Sequence, residues 1–261
     1  SCILQVNRIG GIAGTINTGG KISGCVNKGA ITIAQQANDN WQGIGGICGF
    51  EEKASETSPF VIENSINEGL ISIDITNATT HNNKAAAAGI IGSSCSYIEV
   101  YGCTNKGNVV GKNAASGLLY TGGICGLYRG GNPSCNFHDN VNEGDVTLTA
   151  TDGAAGGVVG NCAVAASQIK SCTNTGKITF SLASATGSIA GLATPSLNSC
   201  AVGGTVNDTE VTASNFATYI QGSASTGVPV GCYFVGGSAA DYVSATPATI
   251  GIIAAGESKD I

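Results

Sequence analysis

The chain has 261 residues, 40 of them Gly, with 42% apolar and only 11% charged side chains, a balance that excludes a disordered polymer. Eleven Lys and Arg stand against 17 Asp and Glu, and the net charge of −6 excludes a basic nucleic-acid groove. No stretch approaches 18 uninterrupted apolar residues, so no membrane-spanning helix is expected.

Two phrases alternate along the chain. Gly11-Ile12-Ala13-Gly14 is followed by Cys25-Val26-Asn27-Lys28-Gly29 and an Ile-x-Ile run from Ile31. Gly46-Ile47-Cys48-Gly49 comes next, then a charged stretch from Glu51 to Glu56 that reads as a solvated loop, then Ser65-Ile66-Asn67-Glu68-Gly69. Gly89-Ile90-Ile91-Gly92 precedes Cys103-Thr104-Asn105-Lys106-Gly107, and Gly123-Ile124-Cys125-Gly126 precedes Asn140-Val141-Asn142-Glu143-Gly144. Gly157-Val158-Val159-Gly160 leads to Cys172-Thr173-Asn174-Thr175-Gly176. Both phrases then loosen, into Ser188-Ile189-Ala190-Gly191 and Cys200-Ala201-Val202-Gly203-Gly204, and Cys232 opens a last partial copy.

Fixed-period self-similarity with short β-branched runs between Gly and Asn turns predicts an all-β solenoid. The expected fold is a right-handed parallel β-helix of about seven triangular coils, with three short strands per coil stacked roughly 4.8 Å apart. Turn glycines recur at Gly29, Gly69, Gly107, Gly144, Gly176 and Gly204, at shrinking intervals. A coil core cannot shrink that much, which places excursions at 51–60, 77–86 and 128–138. Residues 1–238 read as the repeat domain. Residues 239–261 leave the pattern and read as a capping or assembly strand around Ala248–Ala255.

Asn and Gly tolerate positive φ, so Asn-x-Gly reads as the tight corner of each coil. Asn27, Asn67, Asn105, Asn142 and Asn174 would stack as an amide ladder. Lys28, Glu68, Lys106, Glu143 and Thr175 would form a stack of alternating sign beside it. Degeneration of the phrase after Gly176, into Val202-Gly203-Gly204, marks where the solenoid is expected to begin to end.

These phrases resemble the GLUG-type repeats of bacterial and protist surface proteins, over roughly residues 9–206. The resemblance implies a secreted parallel β-helix and, more weakly, adhesion. Cys or Ser here replaces the family's usual small or aromatic filler.

Eleven Cys without zinc-ligand spacing suggest an oxidising, extracellular or cell-surface setting and no metal or other cofactor. Cys25, Cys103, Cys172, Cys200 and Cys232 fall in one column, Cys48 and Cys125 in a second. Cys95, Cys135 and Cys162 read as lying in the excursions. Two or three disulfides are expected, with Cys95–Cys103, Cys125–Cys135 and Cys162–Cys172 as candidates. The odd total makes Cys2 the candidate for an intermolecular bond, unless its partner lay in a removed upstream region. The sequons at Asn77 and Asn207 are possible N-glycosylation sites. The lack of a visible signal peptide and of any Met reads as a processed mature protein or an excised segment.

For chemistry the sequence offers little. His81 and His138 read as loop histidines, the second beside Asp139 but without a nucleophile elbow. Asp74, Asp145 and Asp152 are the carboxylates a lyase or hydrolase on a β-helix would have to cluster. The outward rank Thr32, Ser72, Val110, Thr147 and Thr179 suggests an ice-binding face, interrupted by Val110. The leading expectation is non-catalytic: an adhesive stalk with a glycan or host-surface ligand, or a filament subunit that self-associates end to end through uncapped strand edges.

Overall fold

The computed structural model describes residues 8–34, 42–75, 85–113, 117–130 and 135–235, with the backbone of 243–244 and 249–253. Cys2, Asn77 and His81 lie outside the described residues, as does most of the excursion expected at 77–86. One coil shows the plan. Ala85–Ala88 reverses at Gly89-Ile90 into Ile91–Ser94, and Ile98–Tyr101, Thr104–Asn105 and Val109–Asn113 follow. Each strand pairs in parallel with its counterparts in the coils before and after, as Ala86 does with Gly43 and Tyr120. Five sheets result, numbered I to V in the order of that coil. Sheets I, II and III hold six strands each.

The solenoid is as expected, but the coil has five strands where the sequence suggests three. The Gly-Ile-x-Gly piece is a hairpin corner instead of one strand, and the piece ending in Asn breaks once more. Exposure shows what the hairpin does. Strands Cys48–Glu51, Ala85–Ala88, Ile91–Ser94, Leu119–Gly122, Cys125–Tyr128 and Gly153–Gly156 are buried at every position. Phe60–Glu63, Ile98–Tyr101 and Cys135–His138 in sheet III, and Ile71–Asp74 in sheet V, alternate buried and half-buried. Sheets buried on both faces are interior layers, and alternating ones have a wet side. Side-chain contacts agree: Tyr128 of sheet II meets Phe137 of sheet III edge to face at 6.4 Å. A Cβ on Gly111 of sheet V would reach Thr121 and Leu119 of sheet I at 2.7 and 3.0 Å. The order is V, I, II, III, with the two-residue strands of sheet IV closing one edge.

Sheets I and II press together backbone on backbone. A Cβ on Gly92 would lie 2.2 Å from the Ile44 nitrogen, far inside van der Waals contact, so only Gly fits. The hairpin tip meets the Asn ladder. Nδ2 of Asn27, Asn67, Asn105 and Asn142 donates to Oδ1 of the next Asn at 2.8, 2.8, 2.8 and 2.7 Å. Each also donates to the carbonyl two residues on, at Gly29, Gly69, Gly107 and Gly144. Asn174 ends the ladder on Gly176 O and Ser188 Oγ, both at 3.1 Å.

The expected reason for the motif is overturned. None of these five Asn, nor Gly29, Gly69, Gly107, Gly144 or Gly176, has positive φ; among the turn glycines only Gly204, in the degenerate copy, does, at 73°. Asn is required for an amide that donates twice and accepts once inside the coil. Gly is required because each stacks under the previous one: a Cβ on Gly107 would meet Gly69 O at 2.0 Å. The left-handed corner lies three residues before each ladder Asn, and before Val202 and Phe234 in the two later copies. It is Gly24, Asn64, Gly102, Asp139, Ser171, Ser199 and Gly231, with φ of 62, 48, 60, 56, 51, 51 and 60°. Short polar side chains and Gly are the residues that accept this region.

Other expectations shift as well. Glu51 is not in a solvated loop. It ends a sheet II strand, fully buried, and accepts from Ser94 Oγ at 2.8 Å, from the Ala54 N–H at 2.9 Å and from Ser96 Oγ. Cys135 and Cys162 lie in strands, Cys135–His138 and Val159–Cys162, and not in excursions. In the charged stack, the one ion pair among the described residues is Lys28–Glu68, at 3.8 Å.

Regular pairing also outlasts Gly176, running through Thr205–Val206. That strand then turns at Asn207-Asp208, both with positive φ, into antiparallel Thr209–Glu210. The short helix Phe216–Tyr219 and the residues after it cover sheets I to III: Ser188 N–H bonds Tyr219 O at 2.7 Å, and Asn198 bridges to Val230. Sheet IV alone continues in parallel, through Tyr233–Val235 to Thr249–Ile253.

Candidate ligand-binding face

The outer face of sheet III carries two ranks of side chains that cross the coils in register. One runs Lys21, Val61, Glu99, Asn136 and Gln168. The other runs Ser23, Glu63, Tyr101, His138, Lys170 and Asn198. Between them Ile22, Ile62, Val100, Phe137 and Ile169 point inward and are buried. Period-two alternation therefore holds the polar set outside.

At the earlier end this face is tied up. Glu63 accepts from Ser23 Oγ at 2.8 Å and from Tyr101 Oη, and pairs with Lys21 Nζ at 2.9 Å. Hydrogen bonds from Tyr101, Lys21 and Ser23 lower its pKa to about 2, so it is ionised at neutral and mildly acidic pH. The same carboxylate raises Lys21 and Tyr101 above their ordinary values. Tyr101 stacks on His138 with centroids 4.8 Å apart and planes 7° from parallel, and His138 Nδ1 lies 2.6 Å from Asp139 Oδ2. His138 is thus a strand residue packed between neighbours, not a loop histidine.

The later part is open. A depression of about 330 Å³ is lined by Asn136, His138, Asp139, Gln168, Lys170 and Ser171. A second, of about 210 Å³, reaches Tyr97, Glu99 and Cys135 and shares Asn136 and Gln168 with the first. The two form one shallow groove with both amides on its floor. No described residue hydrogen-bonds the Asn136 or Gln168 side chain. The groove offers amide donors and acceptors, an ammonium group and carboxylates to one ligand.

The other expected sites resolve differently. In sheet V, Thr32, Ser72, Val110, Thr147 and Thr179 do align. The next rank is Asp74, Lys112 and Thr149, charged and uneven. The three Asp do not converge: Asp74 stands beside Lys112, Asp145 Oδ1 accepts the Lys177 N–H at 3.0 Å, and Asp152 Oδ1 accepts the Gly153 N–H at 2.7 Å. Asn207 Oδ1 accepts the Phe180 N–H at 2.8 Å, so this sequon side chain is engaged in the turn.

All ten described cysteines are free thiols, so Cys95–Cys103, Cys125–Cys135 and Cys162–Cys172 are not bonded in this structure. The first column has a structural role. Cys25, Cys103, Cys172, Cys200 and Cys232 each donate to the carbonyl two residues upstream, at 3.6, 3.4, 3.3, 3.4 and 3.6 Å, as the Ser65 hydroxyl does at 2.9 Å. They cap the left-handed corner. Burial pushes Cys103 up to about 11 and Cys48 up to about 12, which makes both inert at neutral pH. Cys95 donates to the Glu51 and Glu52 carbonyls.

The sheet III ranks are the site residues that motif reading missed. Their signal was a fixed offset: they stand two and four positions before the Cys, Ser or Asn that opens each phrase. They differ in type from coil to coil, so no repeated motif draws attention to them. A comparison of the chain with protein families, curated proteins and solved structures finds no match.

Proposed function

We propose that this chain is a non-catalytic β-solenoid of the cell surface or extracellular space, similar in role to GLUG-type adhesins, that holds a glycan along the outer face of sheet III. The groove over Asn136 and Gln168 carries this reading, because planar amides beside charged groups match the paired hydroxyls of a sugar. The non-catalytic part rests on the carboxylates. Glycosidases need two facing one bond, one of them protonated. Here Glu63 is held ionised by three donors and so cannot be the acid, Asp139 pairs with His138, and Glu56 and Glu99 on the groove are taken as ligand contacts. A lateral ligand is favoured over end-to-end filaments because residues 207–230 cover sheets I, II, III and V at their later edge.

Binding to an array of immobilised saccharides tests the proposal. Retention on the array is expected, together with at least about tenfold weaker binding by the Asn136→Ala/Gln168→Ala double variant at unchanged thermal stability. An array that retains nothing, or a variant that binds as well as the parent, would sink it. Release of unsaturated or shortened sugars would replace the binding module with an enzyme.

A further inference from the structure

The Cys135 and Cys162 sulfurs lie 3.7 Å apart, in contact, and both side chains are fully buried. Cys135 opens the sheet III strand of the fourth coil. Cys162 closes the sheet II strand of the fifth. Cys172, Cys200 and Cys232 also neighbour one another, but each of these thiols donates to a backbone carbonyl, whereas the Cys135 thiol is directed at another sulfur. We propose that these two residues are a cross-linking site, forming a disulfide that joins sheet II to sheet III across consecutive coils. The sulfurs are already in contact, and a bond requires them to close to about 2.05 Å.

Cys135 borders the groove on sheet III but its side chain is buried, so a small disulfide such as oxidised glutathione reaches the sulfur only when the start of this strand opens locally. In the first step the Cys135 thiolate attacks oxidised glutathione, forming a mixed disulfide and expelling one glutathione thiolate. In the second the Cys162 thiolate attacks the Cys135 sulfur and expels the other. The two protein protons end on the two glutathione molecules, so one glutathione disulfide is reduced for each protein disulfide formed. Burial pushes the Cys135 thiol well above its ordinary pKa, which makes the first step the slow one. The bond would fix the strand that carries Asn136 and His138 to the layer behind it, but it stands independently of any saccharide.

Peptide mapping of the full chain reads this directly. After equilibration with oxidised glutathione, the protein is unfolded in a maleimide and cut by trypsin and a Glu-specific protease. Cleavage after Arg129, Glu143 and Lys170 places Cys135 in 130–143 and Cys162 in 144–170. The expected product is these two fragments joined, two hydrogens lighter than their sum and separable by reductant. Thermal unfolding of the oxidised parent should rise by a few degrees, and Cys162→Ser should abolish the part due to this bond. Fragments recovered singly with maleimide on both cysteines would overturn the proposal. So would either cysteine joined only to glutathione or to a different cysteine.

Discussion

The interior of the coil and its outer face obey different rules. Inside, one residue type dominates each place from coil to coil: Gly at the hairpin tip, Asn beneath it, and Cys at the corner, with Ser65 and Asn140 as its replacements. Outside, on sheet III, the equivalent position passes from Ser23 through Glu63, Tyr101, His138 and Lys170 to Asn198. Backbone that must stack at strand spacing leaves one solution per interior position, so the interior repeats. Water accepts almost any side chain, so the face is free to vary. The repeats report how the molecule stands up, and the departures from them are where a ligand would be read.

The comparison breaks first at the hairpin tip. A Cβ on Gly89 would lie 2.1 Å from Asn105 Oδ1 and 2.4 Å from Gly123 O, one of them backbone with nowhere to move. Gly89→Ala should therefore destabilise the solenoid by about 3 kcal/mol or more, read as a lower urea midpoint. An unchanged midpoint would show that sheets I and II are less tightly apposed than described. The groove substitutions, by contrast, should leave that midpoint where it is.

Next comes the ladder. Asn105→Ala removes the acceptor of Asn67 Nδ2 and the donor to Asn142 Oδ1 and Gly107 O at once, all in a buried setting. The expected loss is about 2–4 kcal/mol, since several buried polar groups are left unpaired. Asn27→Ala, at the start of the ladder, strands as many partners but in a less buried setting, and should cost less. Equal losses at both positions would argue that burial does not set the cost.

Much of the interior was legible. The register, the Asn ladder and the columns of Cys25 and Cys48 follow from spacing, because period alone sets which residues stack. The number of strands was not legible, since Gly46-Ile47 looks the same in a strand as at a hairpin tip. What distinguishes them is burial on both faces, a tertiary property that no local pattern carries. The cause of the Asn-x-Gly motif was misread for a related reason: positive φ and a buried amide both select Asn, and only the backbone tells them apart. Thiol partners were the least legible. Cys162 is nearer to Cys172 in sequence, but it meets Cys135 because the chain between them makes one full coil.

The smallest expected effect separates the two regions by pH. Glu63, on the face, is lowered to about 2 by hydrogen bonds from Tyr101, Lys21 and Ser23, against an ordinary 4.5. A carboxylate held below its unfolded value stabilises fully above about 4.5, and that contribution is lost as pH falls through the interval toward about 2. Surface screening keeps it small. Glu63→Gln retains the shape but cannot titrate, so its urea midpoint should start slightly lower at pH 6 and fall less steeply between pH 4.5 and 2. The two curves should converge at the acid end. Parallel curves would mean that Glu63 is no better held than any exposed acid, and that the earlier end of sheet III is as open as the groove beside it. Gly89→Ala lacks a titrating group and should displace the whole curve without changing its slope. An interior fault thus shows at every pH, and a fault on the face only where its charge changes.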